Sequence, residues 1–192
     1  MKLVIVDLGC GNMGSVRLAL GRFGIEPMFT SDPEEIASAD KVLLPGVGAA
    51  GFAMERIDAL GLRATLTGLR QPALGICLGM QLLFEASDEE ETACLGLIPG
   101  HARALDPAPG RPVPHMGWTQ VKVRDPELGI RDGDYLYFAH SFACDAGPAA
   151  VATATYGREI AAAVRQGNWL GAQFHPERSG EAGARFLERF LA

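Results

Sequence analysis

The sequence predicts an α/β fold, with a central, mostly parallel sheet flanked by helices on both faces and extended by antiparallel strands. Three observations carry this. The first half alternates short apolar runs with helical sequence, the pattern of βα units. Those runs are apolar at nearly every position, as in strands buried on both faces of a parallel sheet. Beyond about residue 120 the texture changes to short strands joined by tight turns, which suits antiparallel neighbours.

Residues 3–7 form the first strand, and Asn12 caps a helix that carries Val16, Leu18, Leu20 and Phe23 and stops at Gly24. Residues 27–30 make a weaker second strand. Asp32-Pro33-Glu34-Glu35 starts the next helix, with a capping carboxylate, proline in the first turn and acids at the positive helix end. The third strand spans residues 41–44 and is ended by Pro45. Residues 52–70 are helical with glycine breaks, residues 73–76 are a fourth strand, and residues 78–84 a further helix. Ser87-Asp88-Glu89-Glu90-Glu91 reads as a solvated acidic turn. Strands at 121–123, 135–138, 151–156, 160–164 and 169–174 follow, with Asp132-Gly133-Asp134 as one connecting turn. An amphipathic helix at 181–191 closes the chain. No repeat or linker interrupts this series, so residues 1–192 are expected to form one domain.

With 192 residues, 48% hydrophobic and 21% charged, the chain can bury about 70% of its unfolded surface in one core without disulfides or metal staples. Disorder is excluded on the same composition. A net charge of −6 leaves no basic excess to displace counterions, which argues against nucleic acid as a partner. The longest uncharged stretch, residues 71–84, is too short to span a bilayer, and Asp7 interrupts any signal-peptide core. A cytoplasmic location without a membrane partner is therefore expected. Cys10, Cys77, Cys94 and Cys144 include no close pair of the kind that binds zinc or cycles as a dithiol. No metal and no cofactor is expected, and a free thiol becomes the candidate nucleophile. The 24 glycines imply tight turns or close backbone approaches.

Among the four cysteines only Cys77 stands in a chemical setting. Gly75-Ile76-Cys77-Leu78-Gly79-Met80-Gln81 puts it between a buried strand and a helix, the thiol counterpart of the G-x-S-x-G nucleophile elbow. A strand-to-helix turn this tight holds its central residue in strained geometry, and side chains two residues either way would collide. Free N–H groups at the helix start favour a thiolate and can receive an oxyanion. Gln81, one helical turn on, shares the reactive face.

Four histidines compete for the base: His101, His115, His140 and His175. Only His175 has an evident orienter, in Gln173-Phe174-His175-Pro176-Glu177. Residues i and i+2 of extended chain point the same way, so Glu177 can fix the tautomer of the ring and stabilise imidazolium. Alone this pair is weak; beside a cysteine elbow it completes a set for acyl transfer. A glycine loop, Pro45-Gly46-Val47-Gly48-Ala49, follows the third strand. It lacks the lysine and Ser/Thr of a phosphate loop. Its backbone would lie beyond the carboxyl ends of the strands, beside Cys77. Gly9-Cys10-Gly11-Asn12-Met13-Gly14 has the wrong spacing for a dinucleotide fingerprint.

At Gly75–Gln81 and Phe174-His175-Pro176-Glu177 the chain resembles the triad, or class I, glutamine amidotransferases, whose fold is a flavodoxin-like three-layer α/β domain. Asp7-Leu8-Gly9-Cys10-Gly11-Asn12, Pro45–Ala49, Pro114-His115-Met116-Gly117-Trp118 and Tyr137-Phe138-Ala139-His140-Ser141-Phe142 extend the resemblance along the whole chain. They narrow it to the branch of glutaminases that serves imidazole glycerol phosphate synthase in histidine biosynthesis. The resemblance implies that Cys77 attacks the amide of L-glutamine, with His175 as base and Glu177 orienting it. It implies that Gln81, the backbone of Gly46, Val47 and Gly48, and His140, Ser141 and Phe142 hold glutamine. The Leu78 amide and one amide of residues 46–48 would form the oxyanion hole. It further implies a heterodimer with a TIM-barrel cyclase subunit, to which ammonia passes, with Asn12 and Trp118 on the docking face. The family usually carries tyrosine at Leu8, asparagine at Thr119 and lysine at Arg178. Alternatives are a glutaminase serving another synthase, a cysteine hydrolase of γ-glutamyl peptides, and a regulatory domain with an inactive triad.

Overall fold

The computed structural model describes residues 1–9, 13–46 and 48–192. In the first half, β1 (Leu3–Val6), α1 (Met13–Gly21), β2 (Met28–Thr30), α2 (Pro33–Ala37), β3 (Lys41–Gly46), α3 (Ala50–Ala59), α4 (Leu62–Gly68), β4 (Ala73–Cys77) and α5 (Leu78–Gln81) alternate as read. The Asp32 side chain accepts from the Glu34 N–H, and Pro33 opens α2. The helical stretch after residue 50 is two helices because Gly61 turns the chain at φ 67°. β3 runs through Pro45, which is tolerated because β1 pairs with β3 only as far as Leu43 and leaves Pro45 no ladder to donate to on that side.

The second half supplies β5 (Phe84–Ser87), β6 (Thr92–Ala93), β7 (Ile98–Ala104), β8 (His115–Val123), β9 (Tyr135–His140), β10 (Phe142–Cys144), β11 (Ala150–Tyr156), β12 (Arg158–Gln166), β13 (Trp169–Ala172) and α6 (Gly180–Leu191). The main sheet has nine strands in the order β2-β1-β3-β4-β13-β12-β11-β8-β9. Its pairings are parallel from β2 to β13 and antiparallel from β13 to β9. A second, four-stranded sheet, β10-β7-β5-β6, is not anticipated by the sequence reading. Two boundaries differ from it by more than two residues. The helix expected over 78–84 ends at Gln81, and the strand expected at 121–123 begins at His115.

Alternation along β1 separates two cores. Val4 and Val6 pack with Ile36, Met54, Ile57 and Leu66 of α2, α3 and α4, whereas Leu3 and Ile5 pack with Val16 and Leu20 of α1. Phe186 and Leu187 of α6 belong to the second cluster. The result is three layers, helix–sheet–helix, as the apolar runs require. Among the described residues no helix is long and apolar enough to cross a membrane.

Candidate active site

The end of β4 sets the site. Cys77 has φ 54° and ψ −111°, a backbone conformation that L-residues rarely adopt and that turns the chain from strand into α5. The flanking glycines are obligatory for steric reasons. A Cβ on Gly75 would stand 2.5 Å from the Gly79 carbonyl oxygen, and one on Gly79 would strike the Leu44 carbonyl of β3. Gly46 packs against the same turn, where a Cβ would meet the Gly79 nitrogen at 2.5 Å. With only four residues, α5 has little macrodipole. The electrophilic groups it offers are the N–H groups of its first turn, which have no partner within the helix, Leu78 foremost.

β13 lies parallel to β4, with Ala172 opposite Ile76, so the segment leaving β13 passes beside Cys77. There the His175 N–H donates to the Tyr137 carbonyl at 2.8 Å, and the Ser179 hydroxyl donates to the His175 carbonyl at 2.7 Å. The turn Pro176–Arg178 brings Glu177 back under the ring, where its Oε1 bonds His175 Nδ1 at 2.8 Å. Burial pushes the His175 pKa down, but the contacts with Cys77 and Glu177 prevail and raise it to about 10. The ring is therefore a strong acceptor for the thiol proton, already oriented by a carboxylate. Glu177 Oε2 is buried with no hydrogen-bond partner among the described residues.

Cys77 opens into a cavity of about 300 Å³ lined also by Gly48, Leu78, Gln81, Glu89, His140, Ser141 and Phe142. Of the residues expected to hold glutamine, Gly48, Gln81, His140, Ser141 and Phe142 line this cavity, whereas Gly46 lies beside it against the elbow turn. Asn12 and Val47 lie outside the described residues, as does Cys10. Cys94 and Cys144 are buried, and burial pushes the Cys94 thiol up to about 11 and the Cys144 thiol well above its ordinary value. Neither competes with Cys77 as a nucleophile. Among the described residues no three His, Cys, Asp or Glu side chains cluster as metal ligands.

Three side chains join the site that the sequence reading leaves unassigned. Glu89, placed there in a solvated turn, accepts the Ala50 N–H at 2.8 Å and lines the cavity. Gln173, fully buried, accepts from Gln81 Nε2 at 2.9 Å and directs its own Nε2 at the Cys77 sulfur, 3.7 Å away. His115 bonds His140 at 3.1 Å and Thr119 at 2.8 Å. The signal for this last pair is the period of two along β8, which puts His115 and Thr119 on one face with Gly117 between them.

Burial holds both of these imidazoles neutral. It lowers His115 to about 4, and it lowers His140 to about 4 against the pull of the Phe142 carbonyl. The unfolded chain takes up protons near pH 6.5 that these rings in the folded chain refuse until about pH 4. Stability is expected to fall as pH drops across that window. Melting curves between those limits check this, and a His115→Phe variant should show a shallower fall; an unchanged slope contradicts it.

On the outer face of β8, Met116 and Trp118 are 65% and 54% exposed, beside Tyr135 of β9 at 58%. Trp118 packs edge-on to Tyr137 with ring centroids 5.9 Å apart. Arg178 lies over the same Tyr137 ring at 4.2 Å, a guanidinium stack that lysine would not reproduce. Buried Leu8 offers its carbonyl to Arg56 Nε at 3.1 Å.

The class-I glutamine amidotransferase family model matches residues 4–192. The chain is 48% identical over 193 residues to the imidazole glycerol phosphate synthase subunit HisH of Xylella fastidiosa, covering 99% of this chain and 96% of that protein. It is 44% identical over 199 residues to subunit HisH 1 of Vibrio vulnificus, covering 99% and 97%. A solved glutamine amidotransferase shares its fold over the full length of both chains, with a TM-score of 0.75 at 21% identity. An elbow cysteine backed by a histidine–carboxylate pair, on a mixed sheet matched from end to end, makes this chain a member of the class-I glutamine amidotransferase family.

Proposed function

We propose that the chain hydrolyses L-glutamine to glutamate and ammonia as the glutaminase subunit of an imidazole glycerol phosphate synthase. In this reading it works in the cytoplasm and hands ammonia to a separate cyclase subunit. The observation that carries it is the convergence of Cys77, Gln81, Glu89 and residues 140–142 on one cavity, with the His175–Glu177 pair behind the thiol. Relatives named as that synthase subunit, matched over nearly the whole chain, support the branch.

In the mechanism, Cys77 Sγ attacks the side-chain amide carbon while His175 takes the thiol proton. The oxyanion forms against the Leu78 N–H and an amide of residues 46–48. His175 then protonates the leaving nitrogen, the C–N bond breaks, and ammonia departs from a γ-glutamyl thioester. Water, with His175 again as base, cleaves the C–S bond and restores the thiol. Glu177 stabilises the imidazolium formed in each half. The Gln81 oxygen and the Glu89 carboxylate are acceptors suited to the α-ammonium of the substrate. The cyclase would join the ammonia to a phosphoribulosyl formimino intermediate, giving imidazole glycerol phosphate and aminoimidazole carboxamide ribonucleotide.

Exposed Met116 and Trp118 are the proposed docking face, with Asn12. We expect cyclase docking to set the 46–48 amide of the oxyanion hole, so the isolated chain should hydrolyse glutamine slowly. Adding cyclase and its ligand should raise the rate by more than about 10-fold. A glutaminase assay with and without cyclase tests this, and full activity of the lone chain refutes the coupling. Trp118→Ala should weaken cyclase binding by about 30-fold, as loss of an aromatic anchor does. Titration calorimetry reads that change, and unaltered affinity would move the docking face elsewhere.

A further inference from the structure

The His115–His140 pair takes no part in the proton transfers above, yet every hydrogen along it has a forced position. The Phe142 carbonyl can only accept, so His140 Nδ1, 2.8 Å away, carries the hydrogen and Nε2 is a lone pair. His115 Nδ1, 3.1 Å from that lone pair, must donate. Its own Nε2 is then an acceptor, and the Thr119 hydroxyl at 2.8 Å must donate to it. The Phe142 carbonyl also accepts from Gln81 Nε2 at 2.7 Å. The second Gln81 hydrogen goes to Gln173 Oε1, and Gln173 Nε2 points at the Cys77 sulfur. Both hydrogens of the Gln81 amide are thereby committed inward, and a flipped amide would set its oxygen against two other acceptors. His115 itself is clamped by stacking on Tyr156 and Phe138, at centroid distances of 3.8 and 5.2 Å.

We propose that His115 is a positioning residue for glutamine binding: through His140 and the Phe142 carbonyl it holds the Gln81 amide in one orientation, its oxygen toward the cavity. This rests on the glutaminase reading. Without the His115 donor, the His140 ring is free to take its other tautomer, which turns a lone pair toward the Phe142 carbonyl and releases residues 140–142.

The test compares two reagents on Cys77 by peptide mass spectrometry. 6-Diazo-5-oxo-L-norleucine must occupy the glutamine site, whereas iodoacetamide needs only the thiol. His115→Phe keeps a stacking ring without a donor; it should slow labelling by the diazo analogue about 10-fold, with iodoacetamide changed less than about 2-fold. His115→Asn, whose amide offers an N–H near the position of Nδ1, should recover most of the loss. Thr119→Val removes only the outer donor and should shift the analogue rate in the same direction by a smaller factor; it decides the matter if His115→Phe does not fold. Equal analogue rates in wild type, His115→Phe and Thr119→Val overturn the inference, as does His115→Asn behaving like His115→Phe. A wild-type chain labelled by iodoacetamide but never by the analogue fails the glutaminase reading itself, and the inference with it.

Discussion

Replacing Cys77 with alanine is expected to lower glutamine hydrolysis by at least about 10,000-fold, the scale on which removing a covalent nucleophile acts. The fold should survive. Alanine is as constrained at φ 54° as cysteine, so the backbone strain is unchanged. Besides the His175 ring, the sulfur's neighbours are the Gln173 amide at 3.7 Å and the Ala139 carbonyl at 3.8 Å, both weak interactions. Stability should therefore move by less than about 1 kcal/mol. Cys77→Ser should be equally inactive, because the oxygen is a poorer nucleophile at the same position. Ammonia release measured with the cyclase present, beside a melting curve, separates chemistry from folding. Wild-type turnover in the alanine variant would sink the mechanism.

The second large effect is on the fold. Gly79→Ala should destabilise the chain by at least about 3 kcal/mol, or lower the melting temperature by roughly 10 °C. The new methyl would be driven into the Leu44 carbonyl, at the point where β3 pairs Leu44 with Gly75. Relief would require pushing α5 away from β3, and that shift would also move Cys77, at the start of α5, off the carboxyl edge. Gly21→Ala is the matched control. It stands at the end of α1 with nothing within 4 Å of its Cβ position, so the same substitution should be neutral or slightly stabilising. If both variants melt with wild type, close approach is not what the elbow glycines provide.

The legible parts of this molecule are those where local chemistry and tertiary position agree. The apolar runs at β1, β3 and β4 lie between helices on both faces, so their composition announces their burial. The Asp32 cap and Pro33 fix α2 without tertiary help. β8 is hidden because its outer face carries Met116 and Trp118 while its inner face carries His115 and Thr119, which inverts the usual polarity code. In β7, Pro99 and Gly100 break the alternation that would mark a strand. Leu82, Leu83 and Phe84 continue an apolar run that cannot itself say where helix gives way to strand. At the site, Cys77, His175 and Glu177 are readable because the elbow and the His-x-Glu spacing are local. Glu89 and Gln173 are not, since their meaning depends on Ala50 and Gln81, 39 and 92 residues away.

The most direct measurement is acid quenching of the chain during glutamine turnover with its cyclase subunit, followed by peptide mass spectrometry. The mechanism predicts a γ-glutamyl thioester on the peptide containing Cys77. Turnover with no adduct on Cys77, or with the adduct on Cys94 or Cys144, would contradict it.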